Sequence, residues 1–212
     1  MTVIEVGQDS EDGVRQAVAA LRRGQLAVLP TDTVYGIAAD AFSPPAVDKL
    51  LAAKGRGRDM PVPVLVGSWR GLDGLSEHVT PSMRSLVEAF WPGGLTLIVR
   101  AAPSLAWDLG ETRGTVAVRM PLHPVTLAVL AETGPLAVSS ANRTGLPPAT
   151  TARQAMGQLG TSVAVYLEAG SSGDPVASTI VDLTGDVPQV RRAGAVDLEA
   201  LQAVLPEVEG PR

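Results

Sequence analysis

The sequence predicts an α/β protein, because short apolar runs alternate with amphipathic helical segments along most of its 212 residues. Hydrophobic residues make up 45% of the chain, which supports a sizeable core at this length. Few residues separate the last apolar runs, and this spacing indicates antiparallel strands. Together these observations predict a single domain over residues 1–212, built on a mixed sheet.

Caps, prolines and apolar stripes define the helices. Ser10 is placed to cap a helix whose Val14, Val18 and Leu21 share one face, and Gly24 ends it. Prolines at the first helical positions open several later helices. We expect helices at residues 10–23, 43–53, 80–90, 124–132, 151–159 and 197–204.

Short runs rich in valine, leucine and isoleucine define the strands. The run at 62–66 has Pro61 and Pro63 at its start, which predicts an edge position in the sheet or an irregular beginning. We expect strands at residues 3–6, 26–29, 62–66, 95–99, 116–118, 136–138, 163–167, 179–183 and 189–191.

Composition disfavours several classes of protein. Without cysteine, disulfides and thiolate metal sites are impossible, and the separation of His78 from His123 predicts no zinc site. A net charge of −5 and 3% aromatic residues disfavour a surface devoted to nucleic acid. We see no signal pattern and no apolar run near the roughly 18 residues that span a bilayer. We therefore expect a cytoplasmic protein with no membrane partner.

A cationic segment follows the second predicted helix. Lys54, Arg56 and Arg58 alternate with two glycines, which let the backbone approach a ligand. Three cations suit a polyanion such as a triphosphate, and the alternative is a solvated helix end whose cations complement the helix dipole. Met60 occupies the last position of what would be a dinucleotide-binding G-x-G-x-x-G, so we reject that interpretation, and no P-loop signature is present.

Two hydroxyl-rich segments follow buried strands: Thr-Asp-Thr at 31–33 and Ser-Ser-Ala-Asn at 139–142. Their side chains can hydrogen-bond a phosphate, a ribose or another small polar ligand. Equally, they can form ordinary caps and turns. No nucleophile elbow surrounds either serine, which disfavours a serine hydrolase.

Arginine or hydroxyl side chains also stand at the ends of three later strands. Arg119 follows the run at 116–118, Ser178 precedes the run at 179–183, and Arg192 follows the last run. An arginine at a strand end is often a surface charge, but it is also the group suited to a bidentate hold on a carboxylate.

In order and spacing, these segments resemble the YrdC-like family, the threonylcarbamoyl-AMP synthases. The resemblance covers about residues 10–204 and includes Trp-Pro-Gly at 91–93 and His-Pro at 123–124. It implies a twisted mixed α/β sheet, with helices on its faces, around a positively charged concave site. It also implies condensation of L-threonine, bicarbonate and ATP into threonylcarbamoyl-AMP and pyrophosphate, with Mg²⁺ carried by the phosphates. The implied further partners are downstream threonylcarbamoyl-transfer proteins and tRNA.

Carried over by position, the resemblance implies that Lys54 and Arg56 are catalytic and stabilise the leaving pyrophosphate. It implies no metal ligand, and Asp32 is the candidate for a general base, although the amine of threonine can react without one. The implied L-threonine-binding residues are Thr33, Arg119, which would hold the carboxylate, and Ser178. The implied ATP-binding residues are Lys54, Arg56, Thr115, Ser140, Asn142 and Arg192.

Two positions depart from the family pattern. Met60 stands where many members have lysine or asparagine, and Gly57 replaces a frequent proline, which predicts a more mobile loop. Some members carry an extra C-terminal domain, which we do not expect here. Two other functions stay open: an RNA-binding module acting on tRNA or a double-stranded segment, and a paralogue with another carbamoyl or acyl substrate.

Overall fold

The computed structural model describes residues 1–7, 10–173 and 176–211. The strands are β1 (Thr2–Glu5), β2 (Ala27–Leu29), β3 (Gly36–Asp40), β4 (Val64–Leu65), β5 (Leu95–Arg100), β6 (Thr115–Arg119), β7 (Leu136–Ser140), β8 (Val165–Glu168), β9 (Thr179–Asp182) and β10 (Gln189–Arg192). The helices are α1 (Glu11–Arg22), α2 (Pro44–Lys54), α3 (Gly71–Leu75), α4 (Pro81–Phe90), α5 (Pro124–Thr133), α6 (Ala152–Leu159) and α7 (Leu198–Val204).

Ten strands of the described chain form one sheet in the order β1-β8-β2-β3-β7-β4-β6-β5-β9-β10. The pairs β1–β8, β2–β8, β4–β6 and β5–β9 are parallel. The other neighbours are antiparallel, including the closing pair β9–β10. The predicted α/β class and mixed sheet are confirmed.

Helices cover both faces of the sheet. Side chains alternate between faces along a strand, so Val28 of β2 packs in the apolar cluster that contains Leu50 of α2 and Leu86 of α4. Leu29 points the other way and packs in the cluster that contains Val18 of α1, along with α5 side chains. Both clusters consist mainly of valine, leucine and alanine, as the low aromatic content requires.

The main surprises lie in the centre of the sheet. The sequence did not reveal β3, because its Gly36-Ile-Ala-Ala-Asp stretch has few residues of high strand propensity. The predicted edge position for the run at 62–66 is wrong, since β4 lies between β7 and β6. Pro61 and Pro63 do give it the irregular start, because pairing begins only at Val64. No helix in the described part of the chain is long and apolar enough to cross a membrane.

Candidate functional site

A cleft of about 300 Å³ lies across the central strands. Pairing registers place Gly36 of β3 opposite Ser140 of β7, whereas Leu65 of β4 lies opposite Arg119 of β6 and opposite Leu136, at the other end of β7. Side chains from opposite ends of these strands therefore line one cleft. The polar lining side chains are Thr31, Thr33, Tyr35, Arg56, Thr96, Arg119, Ser139, Ser140, Ser178 and Arg192.

Arg119, the last residue of β6, is buried and held on three sides. Its Nε donates to the Gly93 carbonyl at 2.9 Å, Nη1 donates to Thr33 Oγ1 at 2.8 Å, and Nη2 donates to Asp32 Oδ1 at 2.6 Å. The same Asp32 oxygen accepts the backbone N–H of Leu122. Since a guanidinium carries five N–H groups, two remain for a ligand. Asp32, the candidate base, is engaged in orienting Arg119.

Arg56 enters the cleft from the loop between α2 and β4. Its Nε donates to the Met60 carbonyl at 2.7 Å, Nη2 to the Pro61 carbonyl and Nη1 to Ser139 Oγ, both at 3.0 Å. The Met60 side chain is exposed, and only its backbone carbonyl touches Arg56. The apolar side chain at this usually polar position therefore leaves the placement of Arg56 intact.

Arg192, at the end of β10, closes the third side of the cleft. It donates to the Ser178 carbonyl from Nε and Nη2, and Nη2 also reaches Ser178 Oγ at 3.0 Å. Ser178 Oγ lies 2.8 Å from Thr96 Oγ1. A Cβ on Gly194 would lie 2.2 Å from the Ala177 carbonyl oxygen. Glycine at 194 thus allows the loop after β10 to pass directly over the start of β9.

The charged side chains that line the cleft, within the described residues, are all guanidinium groups. Burial lowers the pKa of Arg56, Arg119 and Arg192. The charge of Arg192 lowers the pKa of the other two further, and for Arg119 the nearby Asp32 carboxylate opposes this effect. Mutual repulsion in a partly desolvated cleft makes an anion the natural ligand, because it would relieve the repulsion.

Lys54 lies beneath the cleft rather than in its wall. Its Nζ donates to the backbone carbonyls of Ser140 and Asn142, the latter at 2.6 Å, and its own carbonyl accepts the Thr144 N–H. Gly55 follows with φ +61°, a left-handed conformation that ends α2 and lets the chain turn toward Arg56. The alternative interpretation of Lys54 as a cation at a solvated helix end is therefore wrong, because its side chain is buried.

Burial of the Lys54 ammonium group and the nearby charge of Arg56 both change the pKa of Lys54. Together they lower the pKa of Lys54 from its usual 10.5 to about 8, with burial as the larger cause. Lys54 therefore loses its proton within an experimentally accessible pH range.

Known proteins resemble this chain in architecture and in sequence. A model of the Sua5/YciO/YrdC family, described as "Telomere recombination", matches residues 19–194. A protein of Mycobacterium tuberculosis, assigned as a threonylcarbamoyl-AMP synthase, is 58% identical over 91% of this chain and 89% of its own length. The chain belongs to the Sua5/YciO/YrdC family. The prediction of a YrdC-like protein is confirmed.

Relatives in the Sua5/YciO/YrdC family extend the likeness to other organisms. Threonylcarbamoyl-AMP synthase of Bacillus subtilis is 37% identical over 91% of this chain and 56% of its own length. The structure of Pyrococcus abyssi Sua5 complexed with L-threonine superposes with a TM-score of 0.95 at 32% identity. That match covers 99% of this chain but 62% of the P. abyssi chain, so this chain spans less than two thirds of that longer relative.

Within this Sua5/YciO/YrdC fold, the structure brings together most of the residues that the sequence singled out. Three others stand outside the cleft wall: Lys54 and Asn142 support it from below, while Thr115 starts β6 at the end opposite Arg119 and donates its hydroxyl proton to the Thr112 carbonyl. The residues that line the cleft are Thr33, Arg56, Arg119, Ser140, Ser178 and Arg192.

Thr96 is a cleft residue that sequence reasoning missed. Its hydroxyl is buried and meets Ser178, but in the sequence it is one polar residue in the apolar run Leu-Thr-Leu-Ile-Val. The only signal in the sequence was this single polar residue within an apolar run. An ordinary strand with one solvent-facing position shows the same pattern. Arg58, by contrast, pairs with Asp48 and Asp108 and does not line the cleft.

Proposed function

We propose that this protein is an L-threonylcarbamoyladenylate synthase, a nucleotidyltransferase that condenses L-threonine, bicarbonate and ATP. The observation that carries the proposal is the convergence of three guanidinium groups and several hydroxyls on one small cleft. ATP, bicarbonate and the carboxylate of threonine are all anionic, so the cleft matches the reactants in charge. The names of the relatives in M. tuberculosis and B. subtilis support the same activity.

We assign the two substrates to neighbouring parts of the cleft. Arg56, Ser140 and Arg192 would contact ATP, with Lys54 and Asn142 holding the loop that carries Ser140. Asn142 would act through this loop, since its side-chain amide donates to the Arg143 and Leu146 carbonyls. We do not carry forward an ATP-binding role for Thr115, because it lies outside the cleft.

L-threonine would lie against the part of the cleft that contains Arg119, Thr33 and Ser178. The two remaining N–H groups of Arg119 would hold its carboxylate, and the hydroxyls of Thr33 and Ser178 would meet its polar groups. The complex of P. abyssi Sua5 with L-threonine supports threonine as a substrate of this family member as well.

The chemistry needs no nucleophile from the protein. The amine of threonine adds to bicarbonate with loss of water, and an oxygen of the resulting carbamate forms a bond to the α-phosphorus of ATP. The bond from that phosphorus to the oxygen of the β-phosphate breaks, and pyrophosphate leaves. Arg56 and Arg192 would neutralise the charge that develops on pyrophosphate, while Arg119 would orient the threonine.

No cluster of three or more acidic or histidine side chains suited to a metal ion occurs in the described chain. We propose that Mg²⁺ arrives on the phosphates of ATP. We also propose that downstream threonylcarbamoyl-transfer proteins take the product toward tRNA in the cytoplasm. An RNA-binding module is less well supported, because a cleft of about 300 Å³ suits a small molecule and not a duplex.

Substrate omission tests the proposed function. Purified protein should release pyrophosphate and form an AMP-linked product only when ATP, L-threonine and bicarbonate are all present. Mass spectrometry of the product distinguishes threonylcarbamoyl-AMP from the adduct of another carbamoyl or acyl donor. Pyrophosphate release that is unchanged when threonine is left out would refute the proposal.

A matched pair of arginines tests the role of the cleft charge. Arg56→Gln should lower turnover about tenfold to a hundredfold, since one charge-assisted contact to the phosphates contributes roughly 1.5–3 kcal/mol. Arg58→Gln removes a cation two residues away that instead pairs with Asp48 and Asp108. Steady-state pyrophosphate assays should show near-parent turnover for Arg58→Gln, and equal losses in both variants would contradict a specific role for Arg56.

A further inference from the structure

Tyr35 joins the cleft to a network that the proposed chemistry does not use. Its ring is buried, and its hydroxyl oxygen lies 2.6 Å from the Gly170 carbonyl and 3.1 Å from Glu168 Oε1. The same oxygen accepts the N–H of Ala169 at 2.9 Å. Burial and the adjacent Glu168 carboxylate raise the pKa of Tyr35, so its hydroxyl keeps its proton and remains a donor.

Glu168, the last residue of β8, is buried without a partner of opposite charge among the described side chains. Hydrogen bonds satisfy it instead: Oε1 accepts the Gly170 N–H and faces Tyr35, and Oε2 accepts the Arg153 N–H in the first turn of α6. A buried carboxylate without a cation is costly. Its retention here fits a geometric role, because it fastens three separate segments at one point.

The backbone of Tyr35 extends the connection into the nucleotide side of the cleft. Its carbonyl accepts the Ala141 N–H at 2.7 Å, directly after Ser140, and its N–H donates to the Ala149 carbonyl beside Pro148. Ser140 and Pro148 both line the cleft. Any shift of Tyr35 would therefore be passed to the wall that we assign to ATP.

Resting on the proposed function, we infer that Glu168 is a positioning residue that acts through Tyr35 to hold the ATP-binding wall of the cleft in place. Glu168 itself touches no substrate. Loosening this connection should weaken ATP binding and leave the threonine side, built around Arg119, unaffected. If Glu168 had a purely structural role, its loss would lower stability without affecting ATP more than threonine.

The two tyrosines of the chain provide a matched control. Both are fully buried, and each hydroxyl lies 2.6 Å from a glycine carbonyl, Gly170 for Tyr35 and Gly160 for Tyr166. Tyr35→Phe and Tyr166→Phe thus delete the same group from similar surroundings, but only Tyr35 belongs to the cleft.

The experiment measures ATP binding by calorimetry, together with KM for ATP and for threonine. We expect Tyr35→Phe to weaken ATP binding and raise KM for ATP about threefold to tenfold, the factor typical of one lost hydrogen bond. KM for threonine and the ATP affinity of Tyr166→Phe should match the parent. Glu168→Gln should affect ATP more than Tyr35→Phe, because its amide group would face an N–H donor of Gly170 or Arg153.

Each result decides the matter. If Glu168→Gln does not fold, the comparison of Tyr35→Phe with Tyr166→Phe still tests the inference. Unchanged ATP affinity in Tyr35→Phe, or equal losses in both tyrosine variants, would overturn this inference alone. A parent protein that fails to bind ATP would overturn the proposed function and this inference with it.

Discussion

Replacing Arg119 with lysine is expected to lower kcat/KM for threonine by about a hundredfold to a thousandfold, roughly 3–4 kcal/mol, while ATP affinity stays near that of the parent. The guanidinium makes three directed hydrogen bonds, to Gly93, Thr33 and Asp32, and keeps two N–H groups for a carboxylate. Lysine retains the charge but has one nitrogen, so it cannot hold these partners and also grip a carboxylate in two places.

The measurement is a titration of each substrate against pyrophosphate release, with ATP binding followed separately by calorimetry. Arg191→Lys is the matched control, because Arg191 also makes two contacts with a carboxylate, that of Asp182, but lies outside the cleft. Denaturant unfolding should show some loss of stability for Arg119→Lys, since its ion pair is buried. If ATP binding collapses while the threonine requirement stays the same, Arg119 belongs to the nucleotide site.

The strand-end motifs were readable from the sequence because the geometry of a sheet limits where its strand ends can go. Thr33, Ser140, Ser178, Arg119 and Arg192 each lie at or near the end of an apolar run, and the pairing of those runs in one sheet places them around one cleft. The α/β class followed from local periodicity alone.

The remaining features depend on long-range packing that no local pattern encodes. β3 is stabilised by neighbours on both sides, β2 and β7, and not by strong propensity of its own residues. Lys54 looked like a solvated or phosphate-binding cation, yet its partners are carbonyls 86 and 88 residues away. The Tyr35–Glu168 connection spans 133 residues. Contacts of this kind become visible only when the fold is known.

Lys54 offers the second large effect, and it combines activity with an unusual dependence of stability on pH. Lys54→Met keeps the length of the side chain but leaves the carbonyls of Ser140 and Asn142 without their donor. Losing both contacts should cost about 2–6 kcal/mol of stability at roughly 1–3 kcal/mol each. Release of the 140–142 loop should also lower turnover by more than the hundredfold upper bound expected for Arg56→Gln.

The sign of the pH effect follows from the lowered pKa of Lys54, about 8 in the folded protein against a usual 10.5. Between these values the unfolded chain binds more protons at this residue than the folded chain does, so rising pH favours folding. The free energy of unfolding of the parent, relative to that of Lys54→Met, should therefore increase by about 3 kcal/mol between pH 7 and pH 10.5. The neutral amine still has two N–H groups for the carbonyls, so the contacts persist.

Activity should move in the opposite direction. Above pH 8 the neutral Lys54 no longer adds positive charge beneath the phosphates, so ATP affinity of the parent should fall while the stability that depends on Lys54 rises. Urea unfolding of parent and Lys54→Met at pH 7, 8, 9, 10 and 10.5, with ATP calorimetry at the same values, measures both trends. A stability difference that does not change with pH, or that shrinks as pH rises, would contradict the lowered pKa. Parent-like turnover in Lys54→Met would contradict the role of Lys54 in holding the cleft wall that carries Ser140.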